Sequence, residues 1–260
     1  MSSLIFLICL SASAVGGICG IGGGVIIKPV IDAMGIMSVS AISLLSGLTV
    51  LSMSVVNVIK QRKSGLVELK RGSLLAAGSV VGGLLGNNLF HMLKSLLGQD
   101  DMVGMIQAVV LAAVTLLTLV YSVWLRERVP SLHVENPAAI AAIGLVMGLL
   151  SAFLGIGGGP INLAILYYAF SMDTKKAAAN SLYIIMCSQA ASFLTSCAQG
   201  TIPGFEVRYL VLMVCAGILG GMIGSRVNKK ISAKTTDKLF AGLLVVIVLI
   251  CCYNAWRFAP

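Results

Sequence analysis

Charged residues divide the chain into long apolar runs. Uncharged stretches cover 1–27, 33–59, 72–93, 102–125, 136–172, 177–205, 209–225 and 239–256. A helix needs roughly 20 residues to cross the hydrocarbon of a bilayer, so eight hydrophobic units are predicted. The 136–172 run holds 37 residues, too many for one span, and Gly155–Gly159 followed by Pro160 marks its break. The same five residues, Gly-Ile-Gly-Gly-Gly, stand 135 positions earlier at Gly20–Gly24, with Pro29 beyond them. A glycine inside a helix costs about 1 kcal/mol relative to alanine, so both runs are predicted to interrupt a helix. Each interrupted segment then has an arm of 16–18 residues before the break and one of 11 after it.

The similarity extends past the glycines. At the same offset Ser46 falls on Ser181, and after a three-residue difference in loop length Glu68 falls on Glu206. Gly82, Gly83 and Gly86 then fall on Gly220, Gly221 and Gly224. The predicted fold class is an all-α polytopic membrane protein of two inverted repeats, 1–130 and 131–260. Each repeat is a broken, re-entrant Gly-rich segment followed by three transmembrane helices. The Gly-x-x-x-Gly spacing in the later helices is a small-residue pattern for close helix packing.

Composition agrees. The chain is 58% hydrophobic and 10% charged, with a mean hydropathy of +1.01, outside the range of soluble domains. Its net charge of +9 follows from basic residues in short connections, so nucleic-acid binding is not expected. Eight full crossings would put nine Lys/Arg on each side of the membrane. Re-entrant broken segments give 14 on one side (Lys60 to Arg71, Arg126, Arg128, Lys175, Lys176, Arg226 to Lys238) against four on the other (Lys28, Lys94, Arg208, Arg257). The positive-inside rule selects the second arrangement, with both termini outside. The apolar N-terminus lacks the basic flank of a secretory leader, and it is expected to remain in the mature protein.

All nine acidic residues and both histidines lie at segment ends or in loops in this reading. No carboxylate pair, metal cluster or activated nucleophile can then be assembled at membrane depth, so neither an enzyme nor a cofactor nor a metal site is expected. The seven cysteines have no zinc or disulfide spacing; Cys19 abuts the first glycine run. A cation pathway would call for a buried carboxylate. The glycine runs instead offer helix N-termini, whose free N–H groups and partial positive charge favour anions. Predicted substrate-binding residues are Gly22, Gly23, Gly24, Gly157, Gly158 and Gly159, with Ser46, Asn162, Asn180 and Ser181 as neutral donors; Tyr183 and Gln189 are further candidates. The competing role for the glycines is tight helix crossing. Lys28 is read as a surface ion pair with Asp32 rather than as a counter-charge.

These residues resemble the TauE/SafE sulfite-exporter family. The resemblance rests on the paired glycine motifs, Gly20–Gly24 and Gly155–Pro160, and on the stretches around Ser46 and Asn180-Ser181, and it spans the chain. It implies a multi-pass protein of a bacterial or archaeal cytoplasmic membrane that moves sulfur-containing anions such as sulfite or organosulfonates, with export favoured. Expected partners are the anion and the lipid bilayer, with a homodimer allowed for. The alternatives are an importer or channel for another small anion, or a non-transporting membrane subunit.

Overall fold

The computed structural model describes residues 2–61, 65–98, 100–126 and 128–258. The described residues form α1 (Ser2–Cys19), α2 (Gly24–Met34), α3 (Val39–Gln61), α4 (Leu69–Leu97), α5 (Asp100–Val120), α6 (Pro137–Phe153), α7 (Pro160–Phe170), α8 (Thr174–Ala198), α9 (Val207–Lys230) and α10 (Ala233–Arg257). A π-turn, Tyr121–Leu125, extends α5. Among the described residues seven helices are long and apolar enough to cross a membrane, namely α1, α3, α4, α5 with its π-turn, α8, α9 and α10. The interrupted segments have arms of 18 and 11 residues in the first half and 17 and 11 in the second, matching the arm lengths expected.

Each half is built into the other. α1 packs chiefly on α9, and α6 on α4; α3 meets α8, and α5 meets α10. Small residues make the first two contacts possible. A β-carbon at Gly220 would lie 2.6 Å from the Leu10 carbonyl oxygen, and one at Gly82 or Gly78 would overlap backbone of α6. The Gly-x-x-x-Gly stripes are therefore packing surfaces, as the spacing predicts.

Polar contacts identify the two ends of the bundle. At one end Lys94 Nζ donates to Ser40 Oγ at 2.7 Å, and the Arg257 guanidinium donates to the Asp32 and Ala33 carbonyls. The start of α1 and the end of α2 meet there, since Ile5, Ile31 and Tyr209 share one apolar cluster. At the other end Arg126 pairs with Asp237 at 3.2 Å, and Lys60 feels the charges of Arg226 and Lys229. The start of α6 and the end of α7 lie here, with Ile140, Tyr167 and Phe170 in one cluster. Of the basic residues counted for this end, Arg62 and Lys63 lie outside the described residues. Outward faces are apolar: Leu117, Leu249 and Trp256 are all exposed.

Candidate functional site

The glycine runs separate α1 from α2 and α6 from α7, and they meet in the interior. A β-carbon at Gly24 would overlap the Ile156 carbonyl, one at Gly22 would lie 3.7 Å from the Gly157 oxygen, and one at Gly158 would lie 3.4 Å from the Ile21 oxygen. Gly22 (φ +77°) and Gly158 (φ +136°) also adopt backbone that L side chains avoid. Each loop is gripped by the other half. Gly20 abuts Ala178 of α8, and Gly155 lies against Ser43 of α3, where a β-carbon would be 2.6 Å from that side chain. Ser43 and Ala178 are themselves 135 positions apart.

Close packing accounts for much of the glycine content. Val50 and Ile185, again 135 apart, are wedged against the breaks: a β-carbon at Gly157 would sit 2.8 Å from Val50, and one at Gly158 would overlap Ile185. Gly23 abuts α1, its β-carbon position being 2.9 Å from Ser13 Cα. Gly23 and Gly159 precede α2 and α7, and neither helix has a side-chain cap. The first N–H groups of a helix lack intrahelical partners, and here both sets begin at the meeting point.

Ser46 and Ser181 are fully buried, and neither hydroxyl has a hydrogen-bond partner. Ser46 lies on α3 between Ser43 and Val50, and Ser181 on α8 between Ala178 and Ile185, so each follows the face that touches the breaks. Asn162, two residues into α7, is buried with Oδ1 unpartnered. Asn180 has a different setting. Its Nδ2 donates to the Leu66 and Lys176 carbonyls at 3.1 and 2.9 Å, and its Oδ1 accepts from Glu68 N at 3.1 Å. That amide fastens the connection leading into α4 to the first turns of α8.

Beside the second break lies a cavity of about 50 Å³. A water needs roughly 10–15 Å³ measured this way, so the space suits one small polyatomic ion. Gly155 contributes to its wall together with Ser40, Ser43 and Gly47 of α3, Asn87 and His91 of α4, and Gln189, Ser192 and Ser196 of α8. The N-terminal half of α3 thus faces the C-terminal half of α8. Gln189 Oε1 fills the notch left by Gly47, 2.7 Å from where a β-carbon would be. Its Nε2 and the Ser43 hydroxyl are buried without partners. Among the described residues no acidic side chain lines the space. Of this set the sequence reading names only Gln189 as a candidate. The others follow helical spacing (Ser40, Ser43, Gly47; Gln189, Ser192, Ser196), a signal available before the structure. His91 belongs to this wall, a correction to its reading as a segment-end residue, because α4 continues to Leu97.

A second correction concerns Lys28. Its Nζ does pair with Asp32 Oδ2, at 3.1 Å, but the two side chains are only 3% and 7% exposed. α2 is enclosed by neighbours that include α3 and α10, so its polar face meets protein rather than water. An acidic residue is therefore buried in the structure, contrary to the expectation from the sequence.

A family model for the sulfite exporter TauE/SafE matches residues 5–250. The chain belongs to the TauE/SafE family. YjnA of Bacillus subtilis, named "Probable membrane transporter protein", is 22% identical over 95% of this chain and 98% of its own length. A Xylella fastidiosa protein of the same description is 23% identical over 93% and 90%. MamO of Paramagnetospirillum magneticum, likewise named a "Probable membrane transporter protein", is 28% identical over 120 residues, 44% of this chain. The chain spans only 19% of MamO and 38% of the Bacillus subtilis relative YunE. No solved structure matches the chain. As a TauE/SafE protein with seven helices, among the described residues, long and apolar enough to span, it is a multi-pass membrane protein of a transporter family.

Proposed function

We propose that this TauE/SafE protein is a secondary transporter exporting a small sulfur-containing anion, sulfite or an organosulfonate, across a bacterial or archaeal cytoplasmic membrane. The observation that carries the reading is the cavity beside Gly155, whose polar lining is uncharged and sits among apolar side chains such as Leu44, Phe90 and Phe193. Hydroxyls and an amide N–H hold an oxyanion without a buried cation, whereas a carboxylate would repel it. The path continues to the glycine breaks, where Ser46, Ser181, Asn162 and the first N–H groups of α2 and α7 receive the anion. Val50 and Ile185 stand at that point and form the barrier that must move.

Two inverted repeats, 1–130 and 131–260, supply the motion. Inversion is supported by the opposed ends of α3 and α8 at the cavity and by Arg126, beyond α5, pairing with Asp237 near the start of α10. The return of each hairpin to its own end supports it too. The positive-inside rule assigns the Arg126 and Lys229 end to the cytoplasm, and the cavity then belongs to the outward-facing state. At the offset of 135, Gln189 and Ser192 correspond to Ser54 and Asn57. Both are buried and carry unpartnered oxygens, so they are assigned to the inward half of the path. Rocking of one repeat against the other exchanges the two states. An inside-negative potential drives an anion outward by about 2.3 kcal/mol per charge per 100 mV, which favours export.

Purified protein in liposomes, offered sulfite, thiosulfate, sulfoacetate and taurine, should move at least one of them saturably. A folded, inserted protein that moves none contradicts the proposal. Single cysteines replacing Ser2 and Ala259 in a cysteine-free background should both react with an impermeant maleimide from outside intact cells. Labelling of one terminus only rules out the inverted arrangement.

A further inference from the structure

The structure holds a second polar site, between α2, α5 and α10, to which the anion pathway assigns no role. Around a void of about 10 Å³ stand Lys28, Asp32, Gln107 and Asn254, the last three at most 7% exposed. Asp32 uses one carboxylate oxygen for Lys28; the other has no partner. Gln107 donates Nε2 to the Phe153 carbonyl at 2.6 Å, and Asn254 donates Nδ2 to the Pro29 carbonyl at 2.8 Å. The remaining oxygens of both amides are unpartnered as well. Three buried acceptors thus line one void with no donor assigned to them. A buried acceptor without a donor has lost its water and gained nothing in exchange.

We propose that Asp32 is a proton-binding site coupled to anion transport. A proton from the aqueous phase forms an O–H bond at Asp32 Oδ1, and that hydroxyl donates to Gln107 Oε1 or Asn254 Oδ1, supplying the missing donor. The carboxylate charge is lost, and Lys28 keeps its own, so the pair changes from net zero to +1. An anion nearby is then bound more tightly, and by linkage the bound anion favours the proton to the same extent. The mechanical route is short. Gln107 holds the carbonyl of Phe153, two residues before Gly155 in the cavity wall, and Leu154 lines the void itself. The other groups facing Asp32 are Arg257, bonded to its main-chain carbonyl, and Cys251 from α10, with Asp101 from α5 across the neighbouring cavity. From α1, Cys9 lies in the cluster with Ile27 and Ile31. A proton is favoured over a metal cation because the Lys28 ammonium already occupies the carboxylate.

The inference rests on the transport reading, and two readouts separate them. Infrared difference spectra of the purified protein between about pH 5 and pH 8 should contain a carboxylic-acid band that Asp32→Asn removes. Thiosulfate, which keeps its charge over that range, serves as the transport probe with the membrane potential clamped. Wild-type flux should rise at least about fivefold from the alkaline to the acidic end. Asp32→Asn should be flat, near the acidic wild-type rate. Gln107→Leu removes one acceptor for the acid proton and should move the transition to lower pH, which keeps the test open if Asp32→Asn does not fold. Absence of the band, a flat wild-type profile, or a pH profile unmoved by these substitutions overturns the proposal. A band that follows pH in a protein moving none of the four anions overturns the transport reading and leaves the proton site standing.

Discussion

α2 and α7 hold the same place in the two halves, yet their chemistry differs. Both are 11-residue helices that begin at a glycine break and return to the end where their hairpin started. At the offset of 135, Lys28 and Asp32 of α2 correspond to Leu163 and Tyr167 of α7. The first helix carries a buried ion pair held by α5 and α10. The second presents Tyr167 to Arg126, whose guanidinium carbon lies 3.8 Å from the ring centre, and Arg126 bonds Asp237 and Thr174 instead. The scaffold is duplicated and the ionisable chemistry is not. Under the proposals above, the repeated backbone serves the two-sided path, and the single ion pair serves the proton site.

The largest effect expected from breaking this comparison is at Asp32. Asp32→Ala leaves a buried ammonium without its carboxylate and should cost about 3–5 kcal/mol, read as a fall in the melting temperature of the detergent-purified protein. Replacing both partners, with Lys28→Leu and Asp32→Leu together, removes both charges and should recover most of that loss, since apolar replacements of buried pairs are often neutral. A double variant as unstable as the single one would show that the pair itself, not the orphaned charge, holds α2.

A smaller effect separates the two breaks. Gly24 and Gly159 correspond at the same offset, but a β-carbon at Gly24 overlaps the Ile156 backbone, while one at Gly159 lies 3.2 Å from the tip of the Ile156 side chain. Gly24→Ala should destabilise by about 1–3 kcal/mol, and Gly159→Ala by less than about 1 kcal/mol, because a flexible side chain yields where backbone does not. Equal melting temperatures for the two variants would contradict the packing described at the breaks.

The sequence discloses the repeated glycine breaks, the unequal hairpin arms and the close-packing stripes, because each is set by local residue type and spacing. It discloses less of the site. Ser40, Ser43, Asn87 and Gln189 are on three helices separated by tens of residues, and only their convergence makes a cavity. Lys28 and Asp32 are legible as a pair four residues apart. Their burial is not, since it depends on α5 and α10 closing over a half-helix whose run looks like a segment edge. Asn180 reads as a polar residue beside Ser181, but the commitment of its amide to Leu66, Glu68 and Lys176 depends on where the preceding loop passes.

The central claim is that an anion occupies the uncharged cavity between the halves. Gln189→Glu tests it most directly, because the change keeps shape, removes the unpartnered Nε2 donor and introduces a negative charge. Flux of the four-anion panel through liposomes should fall at least about tenfold, equivalent to about 1.4 kcal/mol, for every anion the wild type carries, in protein that remains folded and monodisperse. Undiminished flux in a folded Gln189→Glu protein would contradict the account.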